Sequence, residues 1–203
     1  AHINFSMIDN SGKNIFDGGK KFSKECLYAV GGLMKHSEAL TSITCSSVNS
    51  YNGLVPRVGG FEGGTVTWAP TNITYGHNNR SAQFRLPQNR YCIEDRASDL
   101  TQNPYLTFSL LSAAATKGIT QKMEPPKATN KSLYDISEEE GKNIKTLPRN
   151  LLEAIDAFKE DPLTKEVFSE SMLKNFIGYK YDEWRRYHTT TTDWEIKEYL
   201  KLF

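Results

Sequence analysis

The 203-residue chain has few cysteines, almost no net charge and no long apolar run. Its three cysteines, Cys26, Cys45 and Cys92, form no CxxC pair, which argues against a disulfide framework or a structural zinc site. We therefore expect a reducing, cytoplasmic environment. The net charge of +1 gives no reason to expect a nucleic-acid or membrane-surface partner. No segment approaches the roughly 20 apolar residues that a membrane helix needs.

Several common signatures of catalysis are also missing. The sequence contains no P-loop, dinucleotide-binding fingerprint, nucleophile elbow or HExxH motif. An ATP-using enzyme with this sequence would belong to a class without a phosphate-binding glycine loop. The length suits one sizeable core or a large part of a bigger domain.

The spacing of apolar residues predicts short strands mixed with helices. Strands are predicted at residues 1–6, 65–68, 73–75, 81–86 and 90–96. Helices are predicted at residues 22–35, 37–44, 104–117, 149–159, 169–188 and 192–202, with Gly118 as a C-cap and Thr191 or Thr192 as an N-cap. The four glycines in residues 57–64 predict a surface loop. Without regular βαβ alternation, this order predicts an α+β fold with an antiparallel sheet backed by helices.

Four arginines lie close together in the middle of the chain. Arg90 and Arg96 share a predicted strand face with Cys92 and Glu94, while Arg80 and Arg85 come just before. This face could be a surface ion-pair ladder, or it could bind phosphate or carboxylate, because guanidinium groups bind both bidentately. Arg80 and Arg85 are an odd number of residues apart and can reach one site only with a bulge or bend.

The first predicted strand carries a polar face formed by His2, Asn4 and Ser6. A lone histidine is often structural, but its polar neighbours also allow a site. His2 together with Glu94 would suit a divalent metal that also binds phosphate oxygens. We interpret His36, at a helix end, as structural.

Eight segments, in this order, make the chain similar to the glutamine synthetase family. They are residues 1–6 (AHINFS), 31–36 (GGLMKH), 48–51 (VNSY), 68–70 (WAP), 79–82 (NRSA), 93–96 (IEDR), 103–106 (NPYL) and the tail DWE at 193–195. The resemblance implies a glutamine-synthetase-type catalytic domain that uses ATP and Mg²⁺ or Mn²⁺. It implies phosphorylation of the γ-carboxylate of L-glutamate, followed by attack of ammonia or an amine on the γ-glutamyl phosphate. It also implies a homo-oligomeric full-length parent.

Roles carry over position by position from the resemblance. His2 and Glu94 would be metal ligands, and Arg80 and Arg85 would contact the phosphate and the acyl-phosphate intermediate. Arg96 would bind glutamate. Two further residues of the first segment, Ser6 and Asn4, would lie near the nucleotide.

Three departures from the family pattern concern the substrate side. Gly53 stands where an arginine usually holds the substrate carboxylate, and Cys92 stands where another arginine is usual. Trp68 replaces a glutamate before Ala-Pro, as in ligases for organic amines. Glu62 could be a surrogate acid or a solvated loop residue.

The resemblance also implies that the chain is the C-terminal portion of the catalytic domain, over residues 1–203. An N-terminal β-grasp domain and upstream metal-ligand strands would then be absent, and the chain alone would be inactive. Three functions remain open. They are a glutamate–ammonia ligase, a γ-glutamyl-amine or polyamine ligase, and a decayed member with a structural or regulatory role.

Overall fold

The fold is a small sheet covered by helices. The structure is a computed structural model that describes residues 1–54, 69–133 and 135–202, with Glu138 described by its backbone alone. The predicted strand at 65–68, the glycine-rich loop, Glu62 and Trp68 lie outside the described residues. Within the described part, the α+β prediction is confirmed.

Four short strands form the described sheet. They are β1 (Ile3–Phe5), β2 (Tyr75–His77), β3 (Phe84–Leu86) and β4 (Ile93–Asp95), in the spatial order β1-β4-β3-β2. Two pairs, β1 with β4 and β3 with β4, are antiparallel as predicted. The pair β2 with β3 is parallel, so the antiparallel prediction is wrong for this pair; residues 78–83 join the two strands through bends and a turn and not through a two-residue hairpin.

The described residues form eight α-helices and one 3₁₀ helix. They are α1 (Lys24–Lys35), α2 (Ser37–Thr44), a 3₁₀ helix (Val48–Gly53), α3 (Pro104–Thr120), α4 (Glu138–Gly141), α5 (Leu151–Glu160), α6 (Pro162–Val167), α7 (Glu170–His188) and α8 (Asp193–Tyr199). Thr192, one of the two caps that the sequence indicated, is the N-cap of α8, and it also forms a capping box with Glu195. The 3₁₀ helix, α4 and α6 were not predicted.

The prediction that Gly118 ends α3 is wrong, because the helix continues to Thr120 and its C-cap is Gln121. Gly118 instead allows α3 to cross α1 at close range. A Cβ atom at Gly118 would lie 2.2 Å from the carbonyl oxygen of Tyr28, and one at Gly32 would lie 2.2 Å from that of Ala114. Both glycines therefore serve helix packing.

The main core lies between the sheet and helices α1, α2 and α3. Phe84, Leu86 and Ile93 point from the sheet into this core, where Leu33 and Leu110 meet them. Because side chains alternate along a strand, the neighbouring residues Arg85 and Glu94 face the other way. The core therefore holds the sheet so that its charged side chains share one face.

Candidate active site

One cavity of about 640 Å³ collects five of the predicted site residues. Three groups of side chains line it. The arginine wall consists of His2, Arg80, Arg85, Glu94 and Arg96. The neutral wall consists of Cys45, Gly53, Leu54 and Ala69, and Ala1, Ser50, Ser98 and Asp99 complete the lining.

The strand register builds the arginine wall. Glu94 of β4 pairs with Asn4 of β1 on one side and with Arg85 of β3 on the other. Directly paired residues on neighbouring strands have side chains on the same face. Residues far apart in sequence are thus placed side by side.

Glu94 is the centre of this wall. Its Oε2 accepts a hydrogen bond from Arg85 Nη1 at 2.7 Å, and its Oε1 accepts one from Arg96 Nη1 at 2.9 Å. His2 Nδ1 lies 3.1 Å from Oε1. Burial acts to raise the pKa of Glu94, but the hydrogen bond and charge of Arg85, then the charge of Arg96, outweigh it and lower the pKa. Glu94 is therefore an anion held between cations.

His2 is suited to be a neutral ligand. Burial and the positive charge of Arg96 lower its pKa, against the opposing influence of Glu94. A neutral imidazole keeps a lone pair that can bind a metal.

Arg80 and Arg85 reach the same cavity because the chain bends between them. Their odd spacing in the sequence required such a bulge or bend. Residues 80–83 form a turn and bends before β3 begins. The Arg80 carbonyl oxygen accepts a hydrogen bond from Arg96 Nε at 2.9 Å, while Arg85 Nη2 donates to Asn78 Oδ1 at 2.5 Å. The turn therefore carries Arg80 and, through the Arg80 carbonyl oxygen, orients Arg96.

A divalent metal fits the described donors only in part. Two ligands about 2.1 Å from an octahedral ion, in adjacent positions, are about 3 Å apart, which matches the contact between His2 and Glu94. Within the described residues, however, no group of three or more His, Cys, Asp or Glu side chains could share an ion. His2 and Glu94 can supply two ligands, and the remaining ligands must come from elsewhere.

The predicted nucleotide residues lie outside this cavity. Asn4 Oδ1 accepts a hydrogen bond from Arg90 Nη2 at 2.9 Å, and Asn4 lines a neighbouring cavity of about 320 Å³ that His2 also borders. Ser6 is exposed just beyond β1. Cys92 Sγ lies 3.9 Å from Asn4 Oδ1, so Arg90 and Cys92 meet at the same amide.

Asp99 is a cavity residue that the sequence did not reveal. Its Oδ1 accepts hydrogen bonds from the backbone N–H and the hydroxyl of Thr101, both at 2.6 Å, and its Oδ2 accepts one from Ser50. Burial acts to raise its pKa, but the hydrogen bonds from Ser50 and Thr101 lower it. Ser50 lies in the VNSY segment, and this segment was the sequence feature that could have indicated the part of the cavity around Asp99.

Among the described residues, the neutral wall offers space and no charge. An added Cβ at Gly53 would meet no heavy atom of the described residues within 4 Å, so a larger side chain could extend into the cavity. Cys45 is buried, and burial raises the pKa of its thiol to about 12, so it is not a thiolate nucleophile.

Comparisons with known proteins point to one family. The family model for the glutamine synthetase catalytic domain matches residues 1–199. The glutamine synthetase of Pyrococcus abyssi is 37% identical over 216 residues, covering 98% of this chain and 47% of that protein. The glutamine synthetase of Methanosarcina mazei is 36% identical, covering 99% and 44%. The chain thus spans about half the length of these relatives.

Solved structures give the same result. A GmaS/ADP complex superposes with a TM-score of 0.85 at 31% identity, covering 98% of this chain and 45% of that one. GmaS without ligand superposes with a TM-score of 0.82 at 30% identity. No described helix is both long and apolar enough to cross a membrane.

Proposed function

The chain belongs to the glutamine synthetase family, and on this premise we propose that the full protein is an ATP-dependent ligase that amidates L-glutamate, with ammonia as the favoured amine. By the full protein we mean this chain with whatever precedes or follows it. The reaction would pass through a γ-glutamyl phosphate. The observation that carries the proposal is Glu94, held by Arg85, Arg96 and His2 in a cavity that Arg80 also lines.

The residues of the arginine wall have separate roles in this proposal. Arg80 and Arg85 bind the transferring phosphoryl group, since fixed guanidinium groups stabilise charge that develops on phosphate oxygens. Arg96 binds a carboxylate of glutamate. His2 and Glu94 hold Mg²⁺ or Mn²⁺, which when bound neutralises charge on the ATP phosphates. Asn4 and Ser6, beside the cavity, approach the nucleotide.

Nucleotide binding distinguishes this proposal from that of a decayed member. The similar GmaS structure is an ADP complex, which supports ADP or ATP as a ligand here. Calorimetry of the full protein with Mg·ATP should give saturable binding, and no binding would favour a structural or regulatory role.

Glutamate-dependent ATP turnover is the direct test. We expect the full protein to release phosphate when L-glutamate, ammonium and Mg·ATP are all present, and the 203-residue chain alone to be inactive. Replacing Arg85 by alanine should lower kcat roughly 10²–10³-fold, as for loss of one transition-state donor. The matched control is Arg185→Ala, because Arg185 is exposed on α7 and pairs only with Asp182 among the described residues.

An organic amine as second substrate is the alternative that one observation favours. The open space at Gly53 enlarges the neutral wall, and Trp68, outside the described residues, is the other departure in this direction. Measuring turnover with ammonium, methylamine, ethanolamine and putrescine distinguishes an ammonia ligase from an organic-amine ligase. A kcat/KM for any of these amines above that for ammonium would replace ammonia in the proposal.

Gly53→Arg tests whether glutamate lies against the neutral wall. A new guanidinium in this open space should pair with a substrate carboxylate and lower KM for L-glutamate about tenfold, since charged hydrogen bonds contribute roughly 1.5–3 kcal/mol. Gly53→Ala should leave KM within about twofold. An unchanged or increased KM in Gly53→Arg would place the glutamate carboxylate elsewhere.

We also propose a homo-oligomer in a reducing, cytoplasmic environment. Exposed apolar side chains gather on and after α8, namely Trp194, Ile196, Tyr199, Leu200 and Leu202. Such a patch suits contact with another copy. The three buried cysteines are all free, which suits a reducing compartment. Mass photometry of the full protein tests the assembly.

A further inference from the structure

Asn79, which is buried beside Arg80, uses every hydrogen-bonding position of its side-chain amide. Its Nδ2 donates to the carbonyl oxygens of Thr129 at 2.6 Å and Lys131 at 2.8 Å. Its Oδ1 accepts from the backbone N–H of Ser81 at 2.9 Å and from Ser81 Oγ at 2.7 Å. An amide has two donor hydrogens and two acceptor lone pairs, so nothing is left over.

These partners lie on two different segments. Residues 129–133, which we call the strap, run along the outer edge of β2. The strap is fixed there because Thr129 N donates to Tyr75 O at 2.8 Å and Leu133 N donates to Ser81 Oγ at 2.8 Å. A Cβ at Gly76 would lie 2.2 Å from the Thr129 carbonyl oxygen, so the strap lies directly on the strand.

The other partner segment is the turn that carries Arg80. Ser81 follows Arg80 in this turn, and the Arg80 carbonyl oxygen holds Arg96 Nε at 2.9 Å. Arg96 in turn donates to Glu94. The strap is therefore connected to the arginine wall through the hydrogen bonds of Asn79 with Ser81, the Arg80–Ser81 peptide bond and the hydrogen bond from Arg96 to the Arg80 carbonyl oxygen.

We propose that Asn79 is a positioning residue, which ties the turn to the strap so that Arg80 and Arg96 are held in the geometry that the reaction requires. The role rests on the proposed function. Aspartate lacks the two donors, serine lacks one donor and the reach, and glutamine carries the same amide one methylene group further from the backbone. A displacement of about 1 Å at a reacting group can cost roughly 100-fold in rate.

Asn79→Ala in the full protein is the main test. We expect kcat to fall roughly 10–100-fold while KM for ATP stays within about threefold, since the phosphate ligands remain but are misaligned. The matched control is Asn130→Ala, which removes a strap bond of the same kind, from His77 N to Asn130 Oδ1 at 2.9 Å, without touching the turn. This control should keep kcat within about twofold. Equal kcat in Asn79→Ala and wild type overturns the inference.

A double-mutant cycle separates positioning from general loss of structure. Asn79→Ala lowers kcat by one factor in the wild type and by another in an Arg80→Ala background. We expect the second factor to be at least about fivefold smaller, because the effects of residues that act together are not additive. Equal factors in both backgrounds would mean that Asn79 does not act through Arg80. If Asn79→Ala does not fold, Ser81→Ala replaces it, with a severalfold lower kcat expected and an unchanged kcat as the contrary result.

Amide hydrogen exchange keeps this test separate from that of the proposed function. If the wild-type protein turns over no ATP, the ligase proposal fails, while exchange still reports on the turn. In Asn79→Ala the amides of Ser81, Leu133 and Arg96 should exchange faster than in wild type, and in Asn130→Ala they should not. Unaltered exchange in Asn79→Ala would overturn the positioning role whatever the reaction.

Discussion

Two histidine–carboxylate pairs in this molecule have similar contacts and different surroundings. His2 Nδ1 lies 3.1 Å from Glu94, and His36 Nδ1 lies 2.8 Å from Asp161. The His2 side chain is 44% exposed at a cavity, whereas the His36 side chain is 3% exposed. The first pair can open toward a ligand, and the second cannot.

The carboxylates differ as well. Glu94 is shared with two arginines, so its charge can bind a cation and remain compensated. Asp161 instead accepts a hydrogen bond from Leu163 N at 2.8 Å as the N-cap of α6, and both of its carboxylate oxygens lie within 2.9 Å of His36 Nδ1. One pair is therefore available for chemistry, and the other joins the end of α1 to the start of α6.

Glu94→Ala should have the largest effect. It leaves Arg85 and Arg96 without their shared counter-charge, so unfolding free energy should fall by about 3–5 kcal/mol, as for breaking a buried ion pair. Activity of the full protein should fall by at least roughly 10²–10³-fold. Urea unfolding and ATP turnover measure the two effects. Glu94→Gln, which keeps the shape, should lose activity with a smaller stability cost, and a kcat within tenfold of wild type would remove Glu94 from the site.

Asp161→Ala should affect stability alone. Loss of the partner of His36 and of the α6 cap should lower the unfolding free energy by about 3 kcal/mol. Turnover at a temperature where the variant is folded should stay within about twofold. Glu166→Ala is the control, since the Glu166 side chain, which pairs with Lys117, is 56% exposed and its loss should cost less than about 1 kcal/mol. A large loss of kcat in Asp161→Ala would end the distinction between the pairs.

His2→Gln should do the opposite of Asp161→Ala, because it should weaken Mg²⁺-dependent activity and leave stability nearly unchanged. The exposed histidine contributes little to folding, so unfolding free energy should change by less than about 0.5 kcal/mol. The Mg²⁺ concentration for half-maximal turnover should rise at least about tenfold. His188→Gln, on the surface at the end of α7, should change neither quantity. An unchanged Mg²⁺ requirement in His2→Gln would argue against His2 as a ligand.

The smallest effect is a pH dependence of the structural pair. Burial acts to raise the pKa of Asp161, but the hydrogen bonds from His36 and Leu163 outweigh it and lower the pKa. A lowered folded pKa gives stability that is complete above the unfolded value of about 3.9 and is lost as pH falls through the folded pKa. The difference in unfolding free energy between wild type and Asp161→Asn should therefore be constant near neutral pH and narrow below about pH 4. A difference that widens on acidification would reverse the sign of this pKa shift.

The sequence predicted the pair of His2 with Glu94 but not the pair of His36 with Asp161. His2 and Glu94 were recognised as partners because polar alternation and the family segments marked both residues. His36 was recognised as structural, but its partner Asp161 was not, because the pairing depends on how α6 packs against α1. The unpredicted α6 is short, and its start is marked only by Asp161 and Pro162.

The same limit applies to the sheet and the helix crossing. Strand alternation placed Glu94 and Arg96 on one face, but no local pattern gives the register that sets Asn4 and Arg85 beside Glu94. Gly118 was misassigned for a related reason, since a glycine near a helix end suits both a cap and a close crossing. Tertiary packing decides between these, and it is not encoded in a short window.

The pairing of β1 with β4 also has a consequence for how the cavity forms. In sequence, β1 and β4 are separated by α1, α2, the 3₁₀ helix, β2 and β3, so their pairing joins distant parts of the chain. Such non-local pairing is a slow step in folding, whereas helices form from nearby residues. We therefore expect the arginine wall to form after the helices during folding, which stopped-flow refolding followed by circular dichroism and by nucleotide binding would test.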